Sequence, residues 1–84
     1  MIRPELLELL RCPETHQRLR VAPGELLGRV NDRIKQKELR NRAGKILEQP
    51  LEGALIREDD TVVYPVRGNL PILLIDEAVP VQAG

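Results

Sequence analysis

The chain is 84 residues long, which is room for one domain built around one core. Lys and Arg number 13, Asp and Glu number 13, and 42% of residues are apolar; this is a globular balance, without the basic excess of a surface made wholly for nucleic acid or anionic membrane. One Tyr, no Phe, no Trp and a single Cys leave the core to Leu, Ile and Val, and exclude a disulfide framework or a thiolate-rich zinc site drawn from this chain alone.

Pro4 suits the first position of a helix, where its missing N–H is an orphan anyway, and Glu5 suits the positive end. The helix opens at Arg3-Pro4-Glu5. Leu6, Leu7 and Leu10 then share a face, with Leu9 on its edge, and Pro13 stops the helix by disfavouring α backbone at Cys12. Residues 18–21 alternate polar and apolar as a short strand. After Pro23-Gly24 a second helix is expected over residues 25–40, with Leu26, Leu27, Val30 and Ile34 as its stripe and Leu39 off that stripe. Asn41 to Gly44 reads as a turn and 45–48 as a strand. Residues 54–57 and 61–64 flank Glu58-Asp59-Asp60 as a hairpin. Pro65 lacks a ladder donor, which puts 64–66 at a strand end or sheet edge. Gly68-Asn69 is another turn, 70–75 the most apolar strand, and 79–84 a frayed tail. The fold class is a small single α+β domain: a three- to four-stranded, mainly antiparallel sheet with an N-terminal helix and a second helix packed on or beside it. No apolar run reaches the ~18 residues of a membrane span, and no leader pattern opens the chain. The reading is a cytoplasmic protein with no membrane contact.

Chemistry-bearing residues are sparse. Cys12 and His16 lie close in sequence, but a nucleophile–base pair also needs an orienting group and an oxyanion donor, and Pro13 prevents a helix from stacking the two. A metal site from Cys12, His16, Asp59 and Asp60 would set one thiolate among hard ligands. Cys12 therefore reads as a small buried hydrophobe and His16 as a solvated turn residue. Glu58-Asp59-Asp60 lacks the alternating carboxylates of a calcium loop and reads as a solvated turn. Residues 25–48 carry seven basic against four acidic side chains. Arg29, Arg33, Lys37 and Arg40 make an alternative RNA-facing set, although no aromatic side chain interleaves them for base stacking. The run 70–75 holds six consecutive apolar residues, which cannot all point inward from a strand covered on one face. Either both faces are covered within the domain, or one face or edge is presented to something else.

The opening Leu6-Leu7-Glu8-Leu9-Leu10-Arg11-Cys12-Pro13, then Tyr64-Pro65-Val66-Arg67, then Leu70-Pro71-Ile72-Leu73-Leu74-Ile75-Asp76-Glu77-Ala78 resembles the small activator subunit of tRNA methyltransferases and its short bacterial relatives. The resemblance covers 4–21 and 54–78; residues 22–53 sit where longer members of that family carry a helical insertion, so the resemblance implies that the second helix is inserted, the insertion covering 22–53. It implies a zinc-ribbon-like α+β fold and a non-catalytic, cofactor-free protein that binds a SAM-dependent methyltransferase of tRNA or translation factors through a sheet edge and apolar contacts. Direct nucleic-acid contact is not implied. The contact is expected on Leu70, Pro71, Ile72, Leu73 and Leu74, with Cys12 and Pro13 close by. The family's zinc knuckle is not kept. Cys12 matches its first ligand, while Thr15, Arg57 and Asp60 stand where the others would fall, so the fold is expected without the metal.

Overall fold

Strand β2 (Gly53–Arg57) sets the architecture, because its side chains are buried on both faces. Ala54 and Ile56 point one way, and Leu55 and Arg57 the other. Its hairpin partner β3 (Val62–Arg67) continues the pattern in an antiparallel register that sets Leu55 opposite Tyr64 and Ile56 opposite Val63. The computed structural model describes residues 4–81. In it β1 (Leu19–Val21) pairs with the far edge of β2, while β4 (Leu70–Pro71) and β5 (Val79–Pro80) share the outer edge of β3. The expected four-stranded antiparallel path is thus present as β1-β2-β3-β4, with β5 added beside Val62 and Val63.

Each face of the sheet has its own apolar cluster. On one, helix α2 (Gly24–Lys35) lays Val30 and Ile34 over Ala54, Ile56, Val63 and Val79, with Leu39, Leu51 and Val81 completing the layer. On the other, helix α1 (Pro4–Leu9) leads into a turn, and Leu7, Leu10 and Leu73 pack against Cys12, Leu19, Leu55, Val62, Tyr64 and Ala78. The apolar excess of the central strands is therefore used within the domain. Leu6 and Leu9 stay exposed, so only part of the expected α1 face is core. Arg3, where the helix was expected to open, lies outside the described residues, as do residues 82–84 of the tail.

Several elements differ from expectation for identifiable reasons. Helix α2 stops at Lys35 rather than near residue 40. Gln36 ends it, Lys37 takes a left-handed backbone (φ +60°), and the Lys37 and Glu38 N–H groups donate to the Ile34 and Arg33 carbonyls at 2.9 and 3.0 Å. That is a Schellman cap with Lys where Gly is usual. The reversal returns Leu39 to the core, buried beyond the helix rather than frayed. Residues 45–48 form no strand. Asn41 closes a turn onto Lys45, accepting the Lys45 N–H at its side-chain oxygen (3.0 Å), and a lone bridge joins Arg40 to Ile46.

Pro65 sits inside β3, which is not a sheet edge. The Ala22 N–H donates to the Ala54 carbonyl, so Ala54 faces β1 with its amide groups. Its partner Pro65 faces the opposite way, where the Pro65 carbonyl accepts the Ile72 N–H at 2.9 Å. The absent proline N–H points into the gap where the chain leaves the sheet between β4 and β5, so no ladder bond is lost. Gly68 and Asn69, with φ of +55° and +63°, form the two-residue turn between Arg67 and Leu70, as positive φ at both centres of a type I′ hairpin requires. The run 70–75 is a strand only over Leu70–Pro71. It then leaves the sheet and enters a 3-10 turn over Ile75–Glu77. Val79–Pro80, expected to fray, pairs with β3, and Val81 is buried.

Candidate functional site

Two tight turns meet beneath α1. In the first, the His16 N–H donates to the Cys12 carbonyl (2.7 Å), the Cys12 N–H donates to the Gln17 carbonyl (2.9 Å), and His16 takes φ +65°. This directs the Cys12 side chain inward, with no solvent exposure. In the second, the Asp60 N–H donates to the Arg57 carbonyl (2.8 Å) with Asp60 at φ +63°. Tyr64, from β3 on the same face, brings its hydroxyl to 2.8 Å from the Cys12 sulfur.

Arg57 joins the two turns. It occupies an inward-facing strand position, on the face of Leu55, and is 7% exposed. Nη1 donates to Glu14 Oε1 at 3.1 Å and lies 3.8 Å from Cys12 Sγ. Nε donates to Asp59 Oδ1 at 3.0 Å, Nη2 reaches Asp59 Oδ2 at 2.9 Å, and Nη2 donates to Thr61 Oγ1 at 2.8 Å. Asp59 in turn accepts the Thr61 N–H and hydroxyl at 3.1 and 2.7 Å, so this acidic turn is not merely solvated. Arg42 supports Glu14 from the far side at 3.0 Å.

The electrostatics follow the contacts. Burial alone would raise the Cys12 thiol, but hydrogen bonds from Tyr64, Thr15 and Arg57 favour the thiolate and lower it to about 7. Burial, and then the neighbouring Cys12, push the Tyr64 phenol up. Hydrogen bonds from Arg57 and Thr61 hold Asp59 down at about 2. The Asp59 hydrogen bond raises Arg57 further, against its burial.

The residues present do not fit the metal of the resembled knuckle. The guanidinium lies against the one thiol, Asp60 is turned to an ion pair with Arg20, and Asp59 is committed to Arg57. Among the described residues no group of three or more His, Cys, Asp and Glu side chains is placed to hold a metal ion.

The expected partner-binding set falls into two environments. Cys12 is fully buried, Leu73 packs into the cluster, and Pro13, Pro71 and Ile72 are half-buried, whereas Leu70 and Leu74 are 62% and 61% exposed. Ile75, Leu6 and Leu9 (77%) add exposed aliphatic surface that the expected contact set left out. Of the alternative basic set, Arg33 and Arg40 line one shallow groove with Glu38, Leu39, Asn41, Arg42 and Pro80. Arg29 and Lys37 are exposed and do not line it. Sequence reasoning missed the Arg57 cluster; its signal was a charged residue at the inward position two after Leu55.

The family model for Trm112p-like proteins matches residues 3–69. The chain belongs to the Trm112p-like family. The match runs through 22–53, the segment read as a helical insertion of longer members, and ends at Asn69, before the apolar run. The solution NMR structure of XF2673 from Xylella fastidiosa is 32% identical, with a TM-score of 0.75, over 94% of this chain and 81% of that one. No curated protein matches. Trm112p-like proteins are small non-catalytic partners that activate methyltransferases, and the α+β fold described above is theirs. No helix among the described residues is long and apolar enough to cross a membrane.

Proposed function

We propose that this chain is a cytoplasmic, non-catalytic subunit that binds and activates or stabilises a SAM-dependent methyltransferase acting on tRNA or a translation factor. The observation that supports this beyond family membership is the placement of its exposed aliphatic side chains. Leu70, Leu74 and Ile75 are exposed on and just after β4, at the end of the strand order, and Leu6 and Leu9 are exposed on α1, which covers the same face of the sheet as Leu73. Large exposed aliphatics beside a terminal strand suit a partner that adds main-chain pairing at the edge and covers the apolar surface. Within the expected set, Leu70 and Leu74 make the contact, Pro71 and Ile72 border it, and Cys12, Pro13 and Leu73 act from beneath.

The test is the double variant Leu70→Glu/Leu74→Glu. Both side chains are exposed, so circular dichroism and the thermal midpoint should stay close to wild type, while capture of a methyltransferase, identified by mass after co-purification from the source cell, should be lost. Leu73→Glu is the control and should lower the midpoint sharply, because it places a charge in an apolar cluster. Capture by the folded double variant at the wild-type level would remove this surface from the reading.

A second reading has the shallow groove of Arg33, Arg40 and Arg42 behind it: a basic lining that accepts RNA phosphates. It predicts RNA binding that weakens steeply with salt. The partner-subunit reading predicts no RNA retention by the free chain at physiological ionic strength.

A further inference from the structure

Two pairs of positions, 12 with 15 and 57 with 60, share an i, i+3 spacing on two opposed tight turns. The opposition is direct, since Arg57 reaches Cys12 and Glu14 from across the gap. Such an arrangement suits a structural cation, because a centre between the turns closes both and fixes their distance. Here the centre is a side chain. We infer that the Arg57 guanidinium is the structural cation of this fold, locking the 12–16 turn to the 57–61 turn in place of a metal ion.

The donor geometry carries the inference. Every face of the guanidinium is used. Nε and Nη2 grip Asp59 as a fork on the second turn, Nη2 also reaches Thr61, and Nη1 crosses to Cys12 and Glu14 on the first. A guanidinium presents planar, fixed N–H directions, so it joins several acceptors at set angles, as a metal joins ligands. The charges also match. A buried cation is surrounded by Asp59, Glu14 and a thiol that shares a hydrogen bond with the Tyr64 hydroxyl, and no buried polar side-chain atom among the described residues lacks a partner. The two residues that break the ligand pattern are reused: the Thr15 hydroxyl donates to Gln17 Oε1 at 3.2 Å within the first turn, and Asp60 pairs with Arg20 on β1. Lysine at 57 would offer a point charge on a flexible stem and would satisfy fewer of these acceptors.

Two experiments test this, neither of which depends on the methyltransferase reading. In the first, Arg57→Lys and Arg57→Leu are compared with wild type by urea and thermal unfolding, alongside metal analysis and a strong chelator. The wild type should carry no stoichiometric metal and keep its midpoint in chelator. Both variants should unfold at lower urea and lower temperature, Leu more than Lys. Stoichiometric zinc in the wild type, or an Arg57→Leu variant as stable as wild type, would overturn the inference. In the second, Thr15→Cys, Arg57→Cys and Asp60→Cys are combined with the native Cys12. This variant should bind cobalt with tetrahedral thiolate absorption, and its midpoint should fall on adding chelator, because the guanidinium has been exchanged for the centre it replaces. A folded combined variant that ignores both cobalt and chelator would show that the two turns do not frame one cation position.

Discussion

Cys12 combines two properties that usually exclude each other: a thiol lowered to about 7 and no solvent exposure. Reactivity needs thiolate and access together, so at pH 8 the native thiol should resist a disulfide reagent and react at a rate set by opening of the fold. The check is the reaction rate in buffer against that in urea; prompt reaction of the folded chain would contradict the burial. Asp59 gives the acid limb. Its folded value of about 2 lies below the usual carboxylate range, so its contribution is fully present above the unfolded value near ~4 and is lost as pH falls through the folded value near 2. Urea midpoints measured from pH 5 to pH 2 should fall more steeply for wild type than for Asp59→Asn, which has no such proton to bind. At this scale the sequence was partly legible. Cys12 was readable as a small buried side chain, but treating 58–60 as a solvated turn hid Asp59, because the partner that organises the turn is an arginine buried on the strand before it.

Helix α2 shows what the apolar period can and cannot reveal. Leu26, Leu27, Val30 and Ile34 gave the packed face correctly, since a stripe at helical spacing has one way to bury itself. The helix end was not legible, because its stop is a left-handed lysine and carries no glycine. Lys37→Gly should therefore raise stability by a few tenths to about 1 kcal/mol, the relief of the Cβ penalty offset in part by unfolded-chain entropy; a lower thermal midpoint would count against the cap. Asn31 is the other hidden device. Its side chain accepts the Leu51 N–H at 2.8 Å and donates to the Leu51 carbonyl at 3.1 Å, pinning the return of the 22–53 segment to the helix as a strand neighbour would. Asn31→Ala should cost about 1–3 kcal/mol by leaving buried backbone groups unpaired, against roughly 2–5 for Ile34→Ala, which opens a cavity in a fully buried site. The apolar run 70–75 misled for a related reason. Hydrophobicity alone does not distinguish a strand from a connector, and here the connector supplies one core side chain, Leu73, while Leu74 and Ile75 remain outside.

The whole molecule places two small aliphatic clusters on opposite faces of one sheet, with β2 and β3 shared between them. With one tyrosine as its only aromatic residue, the chain leaves Leu70, Leu74 and Ile75 exposed on and beyond β4, Leu6 and Leu9 exposed on α1, and Val21 exposed on β1. The formal charge is zero at pH 7, which removes the long-range repulsion that keeps apolar surfaces apart. Free of a partner, the protein should therefore self-associate weakly near neutral pH, through the surface proposed to bind the methyltransferase. Light scattering against concentration at pH 7 should show attraction between molecules. Leu70→Glu/Leu74→Glu, which removes two exposed leucines and adds two negative charges, should turn that attraction into repulsion. Charge alone is a competing cause, so the comparison needs a variant of equal charge placed elsewhere. Arg29→Gln/Lys37→Gln also lowers the net charge by two and leaves the leucines intact. If that variant suppresses association as fully as the glutamates do, neutrality is the cause and the aliphatic surface is incidental. If only the glutamates suppress it, the same side chains drive self-association and partner capture, and adding the methyltransferase should dissolve the self-associated form.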